Sequence, residues 1–225
     1  MITALKLILV GMLSIRLISA VVAFSVKAIR RVRRLRMLRQ VAHNLKMRFA
    51  PEGWREIDCE LGDFTLMLAG HSHQASNLIY GKIADHQAHY FDFNYDAGHG
   101  ALKERRAFSV LTVELKQPNH ANFAMWPTSD ANQIPVQADF SVRRIKNWLA
   151  PGDMPQEYAF ELADFLARSF KTDDIHTGFE VRNSKLMLFS AKMLQSSDQI
   201  ANWVKIGLEL AQKTVPDHKS GKICN

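Results

Sequence analysis

HYFDFNY, residues 89–95, is the stretch that decides the fold class. Phe91, Phe93 and Tyr95 alternate with Asp92 and Asn94, and a period of two marks a strand whose successive side chains point to opposite faces. On this reading the aromatics lie against a core, while Asp92, Asn94 and Asp96 form a solvated face. Upstream, residues 64–69 and 77–83 are further strand candidates; downstream, residues 107–115 and 123–126 extend a meander, with Gln117-Pro-Asn-His as the turn between them.

Helical periodicity enters later in the chain. Residues 140–149 read as a short helix. Pro155 opens a second one, with Tyr158, Leu162, Phe165 and Leu166 on one face and Asp153 as candidate cap. Residues 178–181 and 185–189 flank Asn183-Ser184, a two-residue hairpin turn. A capping box, Ser196-x-x-Gln199, starts the last helix, which carries Ile200, Trp203, Val204, Leu208 and Ala211 on its buried face. Strands first and helices later predict an α+β domain over residues 51–216, a mainly antiparallel sheet packed by C-terminal helices, with residues 217–225 as a disordered tail.

The N-terminal fifty residues have a different chemistry. Residues 7–26, LILVGMLSIRLISAVVAFSV, would span about 30 Å as a helix, the thickness of a bilayer's hydrocarbon core. Arg16 in their middle costs roughly 2.5–3.5 kcal/mol on an insertion scale, against about 0.3–0.6 returned by each Leu, Ile, Val or Phe. The expectation is a transmembrane anchor over residues 1–29. A mitochondrial presequence and a signal peptide rank below it, because the stretch is apolar all round and Arg16 interrupts it.

RRVRRLR follows at residues 30–36, and Val32, Leu35, Leu38, Val41, Leu45 and Phe49 recur at helical spacing until Pro51. Residues 30–50 thus read as a basic juxtamembrane helix. Arg30, Arg31, Arg33, Arg34, Arg36 and Arg39 would either contact anionic lipid headgroups or act only as a topology signal holding the domain on the cytoplasmic side. Of the 29 basic residues eleven fall in residues 1–50, where there is no acid, which leaves 18 against 22 acidic residues in the rest. A body with that balance is not built to hold nucleic acid.

Candidate chemistry concentrates in histidines. Five of the nine, His71, His73, His86, His89 and His99, fall within thirty residues. Imidazoles two apart on a strand share a face, so His71 and His73 could supply two metal ligands and His89 or an aspartate a third; but His71 and His73 read as loop residues, loop histidines are more often solvated than ligands, and the expectation is no metal. Asp92-Phe-Asn94-Tyr-Asp96 matches the start of a calcium loop, then fails at Ala97 and Lys103, where glycine and a bidentate glutamate are needed. Cys59 and Cys224 form no disulfide framework and have no metal spacing. No P-loop, dinucleotide fingerprint, nucleophile elbow or kinase set occurs, so no cofactor is expected.

The succession of Gly81, Tyr90-Phe91-Asp92-Phe93-Asn94-Tyr95, a following strand, and Asn122-Phe123-Ala124-Met125-Trp126-Pro127 resembles a group of uncharacterised bacterial membrane-anchored proteins. That group has an apolar N-terminal span, an F-D-[FY]-x-Y strand and a strand ending near P-x-F-x-[LM]-x-P, then a closing hairpin and helix. The chain departs from it around Asn122, upstream of which the group more usually carries a proline. The resemblance implies a bacterial inner-membrane setting and the same architecture, and brings no catalytic residues. Two functions follow as expectations. One is a membrane-anchored, non-enzymatic cytoplasmic module that binds a protein partner or organises an assembly; the other is a metal-dependent hydrolase using the histidines between His71 and His99.

Overall fold

The computed structural model describes the backbone of residues 2–53, 60–116, 122–130, 142–170 and 176–214, with all their side chains except those of residues 2–11, 13 and 130. The expected turn at Gln117, both cysteines and the expected tail lie outside the described residues. Period-two segments build nine strands: β1 Arg48–Ala50, β2 His71–Ile83, β3 His86–Ala97, β4 Glu104–Glu114, β5 Phe123–Pro127, β6 Val142–Ile145, β7 Trp148–Pro151, β8 Thr177–Arg182 and β9 Lys185–Ser190. They form one sheet in the order β1-β2-β3-β4-β9-β8-β5-β7-β6, with every pairing antiparallel. Three α-helices with both ends among the described residues complete the α+β fold: α1 Ile2–Asn44, α2 Gln156–Ser169 and α3 Ser197–Lys213.

Local signals place the C-terminal elements. Asn183 and Ser184 both have positive φ, the conformation of the tight turn joining β8 to β9. At α3 the Ser196 hydroxyl accepts from the Gln199 N–H while the Gln199 side chain accepts from the Ser196 N–H, a reciprocal cap. The cap of α2 is Pro155 without a side-chain hydrogen bond, so Asp153 does not serve as expected.

Both faces of the sheet are covered. Leu38, Val41 and Ala42 of α1, Leu162 and Leu166 of α2, and Ile200, Trp203 and Leu210 of α3 share a core with Ile79, Tyr90, Leu111, Phe179 and Leu188. On the other side Leu61, Phe64, Leu66 and Met67 cover Phe91, Phe93, Tyr95, Phe108 and Phe189. The solvated polar face expected of β3 is therefore wrong. Its aromatics meet the 61–69 segment, and its opposite side, with Tyr90 and Asp92, lies under the helices, where Asp92 is only 3% exposed.

Three further expectations change. Residues 64–69 form successive turns, not a strand: Met67 N–H donates to Phe64 O and Ala69 N–H to Leu66 O. Phe64 and Leu66 of one alternation class and Met67 and Ala69 of the other are buried while Leu68 is exposed, a mixture that successive turns produce and a half-buried strand does not. Gly70, at φ +58, ends the lid where a Cβ would lie 2.4 Å from Asp96 O. Residues 142–151 are the β6–β7 hairpin instead of a helix, with Lys146 at positive φ in the turn. The basic helix stops at Asn44, and Phe49 belongs to β1.

α1 runs unbroken across the expected boundary at residue 29, and its last turns belong to the core. Among the described residues no helix is long and apolar enough to cross a membrane. The transmembrane helix expected over residues 1–29 is therefore not supported. Its described side chains begin at Met12, include Arg16, and give way to Lys27 and the arginines.

One carboxylate ties the lid to the sheet. Glu180 Oε2 accepts from Thr65 N–H at 2.9 Å, Oε1 from the Thr65 hydroxyl at 3.1 Å, and Arg182 Nε donates to Oε1. Burial raises the Glu180 pKa, against the lowering pull of Arg182 and Thr65. A carboxyl raised on folding favours the protonated native state, so its contribution is full below the unfolded pKa, about 4.3, and is lost as pH rises through the folded value. Glu180→Gln keeps an acceptor for Thr65 and removes the ionisation. Thermal melts should show the variant gaining on the parent between about pH 4 and pH 7; a variant that loses ground over that range would mean that the Arg182 pairing dominates.

Candidate functional site

The most connected polar cluster sits where α1 meets the sheet. Arg34 lies one turn before Leu38 and two before Val41, so it enters the same interface that those side chains fill. Its guanidinium grips Asp92 side-on, Nη2 to Oδ1 at 2.7 Å and Nε to Oδ2 at 3.2 Å. Nη2 also donates to the Tyr90 hydroxyl at 3.0 Å, and Nη1 donates to Leu194 O in the loop before α3. Burial lowers the Arg34 pKa, but Asp92 and Tyr90 outweigh it and the net shift is upward.

Asp92 accepts a further bond from Asn77 Nδ2 at 2.8 Å. Asn77 reaches it from a β2 irregularity between Ser76 and Ile79, at φ +58, a conformation that asparagine tolerates. Tyr90 meets Ser109 Oγ at 3.1 Å, and that oxygen accepts from Leu194 N–H at 3.1 Å. Burial, then the Asp92 charge, push the Tyr90 phenol pKa up, so it stays protonated. With its oxygens held by Arg34 and Asn77, Asp92 is a clamp and not an exposed base or nucleophile.

The arginines expected to act together divide here. Arg34 is half-buried in the clamp, while Arg30, Arg31, Arg33, Arg36 and Arg39 are exposed on α1. Asp92, Asn77, Tyr90 and Ser109 were not singled out as partners of Arg34. The available signal was a single arginine on the stripe that continues through Leu38, Val41 and Leu45.

The histidines are not brought together as ligands. Ser72 has φ +59 and the β2–β3 register shifts between His71 and Gln74, which breaks the alternation on which the H-x-H reading depends. His71 Nε2 meets Gly98 O at 3.0 Å and its ring stacks on His99 at 4.9 Å, whereas His73 Nε2 meets Ala69 O at 2.8 Å. His86 Nδ1 meets Glu114 O at 2.8 Å, and burial lowers the pKa of His89, whose Nδ1 lies 3.4 Å from Thr112 Oγ1. Among the described residues no three His, Cys, Asp or Glu side chains converge as a metal site. Asp96 is instead paired with Lys103 at 2.8 Å, and that hydrogen bond holds its pKa down.

Fold and clamp together define an α+β domain whose nine-stranded antiparallel sheet is pinned to the end of a long N-terminal helix. No protein-family model matches the chain, and no curated protein matches it in sequence. Among solved structures, it is similar to the crystal structure of the mycobacterial trehalose monomycolate transport factor A, TtfA, with a TM-score of 0.55 and 9% identity over 80% of this chain and 94% of that one. At that identity the likeness is one of fold alone.

Arg34→Met leaves the Asp92 carboxylate buried without its cation and should lower the unfolding free energy by about 3–5 kcal/mol. Adding Asp92→Asn removes the stranded charge and should recover much of that loss. Denaturant unfolding of both variants checks this; a double variant no better than the single would show that Arg34 acts through packing alone.

Proposed function

We propose that this protein is a non-enzymatic accessory module held at the inner face of a bacterial membrane by the apolar half of α1, where its α+β domain engages a protein partner in a transport-associated assembly. One observation carries the membrane reading: α1 leaves the domain as an unbroken helix whose large apolar side chains, Ile15, Leu17, Ile18, Val21, Val22 and Phe24, are all exposed, Phe24 at 75%. A run of that length without a covering partner is unfavourable in water and favourable in lipid. Arg30, Arg31, Arg33 and Arg36 follow it directly, where cations near anionic headgroups contribute about 1 kcal/mol each and fix orientation.

The His71, His73 and His89 side chains, each with partners of its own, do not converge as metal ligands among the described residues, and the Asp92 oxygens are held by Arg34 and Asn77, so metal-dependent hydrolysis through these histidines has less support than a binding role. The name of the neighbour of similar fold describes a transport factor, which supports an accessory role in transport. The resemblance carried by Tyr90–Tyr95 and the segment around Phe123 supports the bacterial membrane setting.

The full-length chain expressed in bacteria should stay in the membrane pellet after an alkaline carbonate wash, and a reporter fused after Asn225 should read as cytoplasmic. Release into the supernatant would overturn the anchor; a periplasmic reporter would overturn the orientation.

A further inference from the structure

The apolar half of α1 leaves the domain in a direction that the strand register fixes. Just past the helix's C-terminal end, Met47 lies where a Cβ on Gly81 would meet it at 3.5 Å, and Gly81 pairs with Ala88 of β3. Arg34, earlier in the chain, meets Asp92, further along β3. Followed back towards its N-terminus, α1 therefore runs the way β3 runs forwards, towards Ala97 and the loop to β4. From Asp92 to Ala97 β3 advances about 16 Å, a rise that α1 makes by Ala23 if the two axes are parallel and nearer Arg30 if they cross. In that stretch exposed Phe24, Val26 and Ile29 give way to Lys27, Arg30 and Arg31.

The same end of the sheet carries the most exposed apolar side chains of the domain. Outside α1, the exposed large apolar residues among those described are Leu102 at 86%, Leu68 at 53%, and, less so, Val142 and Phe160. Leu102 ends the single 3-10 turn Gly100–Leu102 at the tip between β3 and β4, where its N–H donates to His99 O at 3.2 Å and that of Lys103 to Gly100 O at 3.3 Å. Leu68 stands two residues before Gly70, whose added Cβ would lie 2.4 Å from Asp96 O, so it flanks this end from the lid side. One exposed leucine is ordinary; two at the end towards which an apolar helix departs form a pattern. The charges around the tip suit an anionic surface: Lys103 pairs with Asp96 and Arg106 with Glu104, while Arg105 donates to the neutral Gln74.

We propose that this end of the sheet is a second membrane contact: Leu102 enters the headgroup region of the leaflet beside α1, Leu68 lies at the margin of the contact, and the domain is seated against the bilayer. The proposal rests on the reading of α1 as a membrane anchor, and the experiment separates the two.

The full-length chain with Cys59→Ala and Cys224→Ala, reconstituted in vesicles of phosphatidylethanolamine and phosphatidylglycerol, takes an environment-sensitive fluorophore at one new cysteine. At Leu102→Cys the emission should shift to the blue and be quenched by nitroxide-bearing lipid. At Lys82→Cys, exposed beside the β2–β3 turn at the opposite end of β3, it should stay aqueous. Phe24→Cys reports on the anchor alone. An aqueous signal at Leu102 overturns the tip contact whatever Phe24 reads, and beside a lipid signal at Phe24 it keeps the anchor and leaves Leu102 to a protein partner. Because a fluorophore can itself seek lipid, a second arm labels Leu68→Cys with and without Leu102→Asp, a surface change that leaves folding intact. The Leu68 label should be blue-shifted in the parent and should move towards water in the Leu102→Asp variant. A label that is aqueous in the parent, or that ignores the Leu102→Asp change, would overturn the proposal.

Discussion

A guanidinium held against a carboxylate at the junction of helix and sheet sets the terms for this structure. Arg34 arrives on α1, Asp92 on β3, and the groups around them come from β2 through Asn77, from β4 through Ser109 and from the loop before α3 through Leu194. Removing Arg34 strands the Asp92 carboxylate, which is almost wholly buried, so the pair enforces one placement of α1 more strongly than it adds net stability. Leu38, Val41 and Ala42 then pack without alternatives, because a slip of one residue along α1 would separate Arg34 from all four of its acceptors.

The sheet's two covers answer the same demand in different ways. Helices bury one face with a conventional apolar layer. The aromatic face of β3, too broad to leave wet, is closed by the turn-rich 61–69 segment, whose backbone polarity is partly satisfied at Glu180. A carboxyl raised in pKa by burial and a carboxylate locked by arginine thus sit on opposite faces of one sheet. Each marks the place where a non-sheet element is fastened down.

Sequence by itself determined the features that are settled within a few residues of one another. The α+β class, the Asn183-Ser184 turn, the Ser196–Gln199 capping box, the apolar stripe of α3 and the alternation of β3 were all legible, because dihedral preference, capping and period depend on local neighbours. Tertiary structure decided what each face meets. Alternation says that Asp92 and Phe91 face opposite ways, but not that both sides are covered; apolar residues at 64–69 say that something is buried, but not that a lid of turns does it. The clamp joins residues 58 and 160 positions apart in the chain, Arg34 to Asp92 and to Leu194, and no local pattern encodes a partner at that separation. The histidines failed in the opposite direction: a local spacing implied a shared face, and one residue at positive φ, Ser72, fixed by the pairing of β2 with β3, removed it.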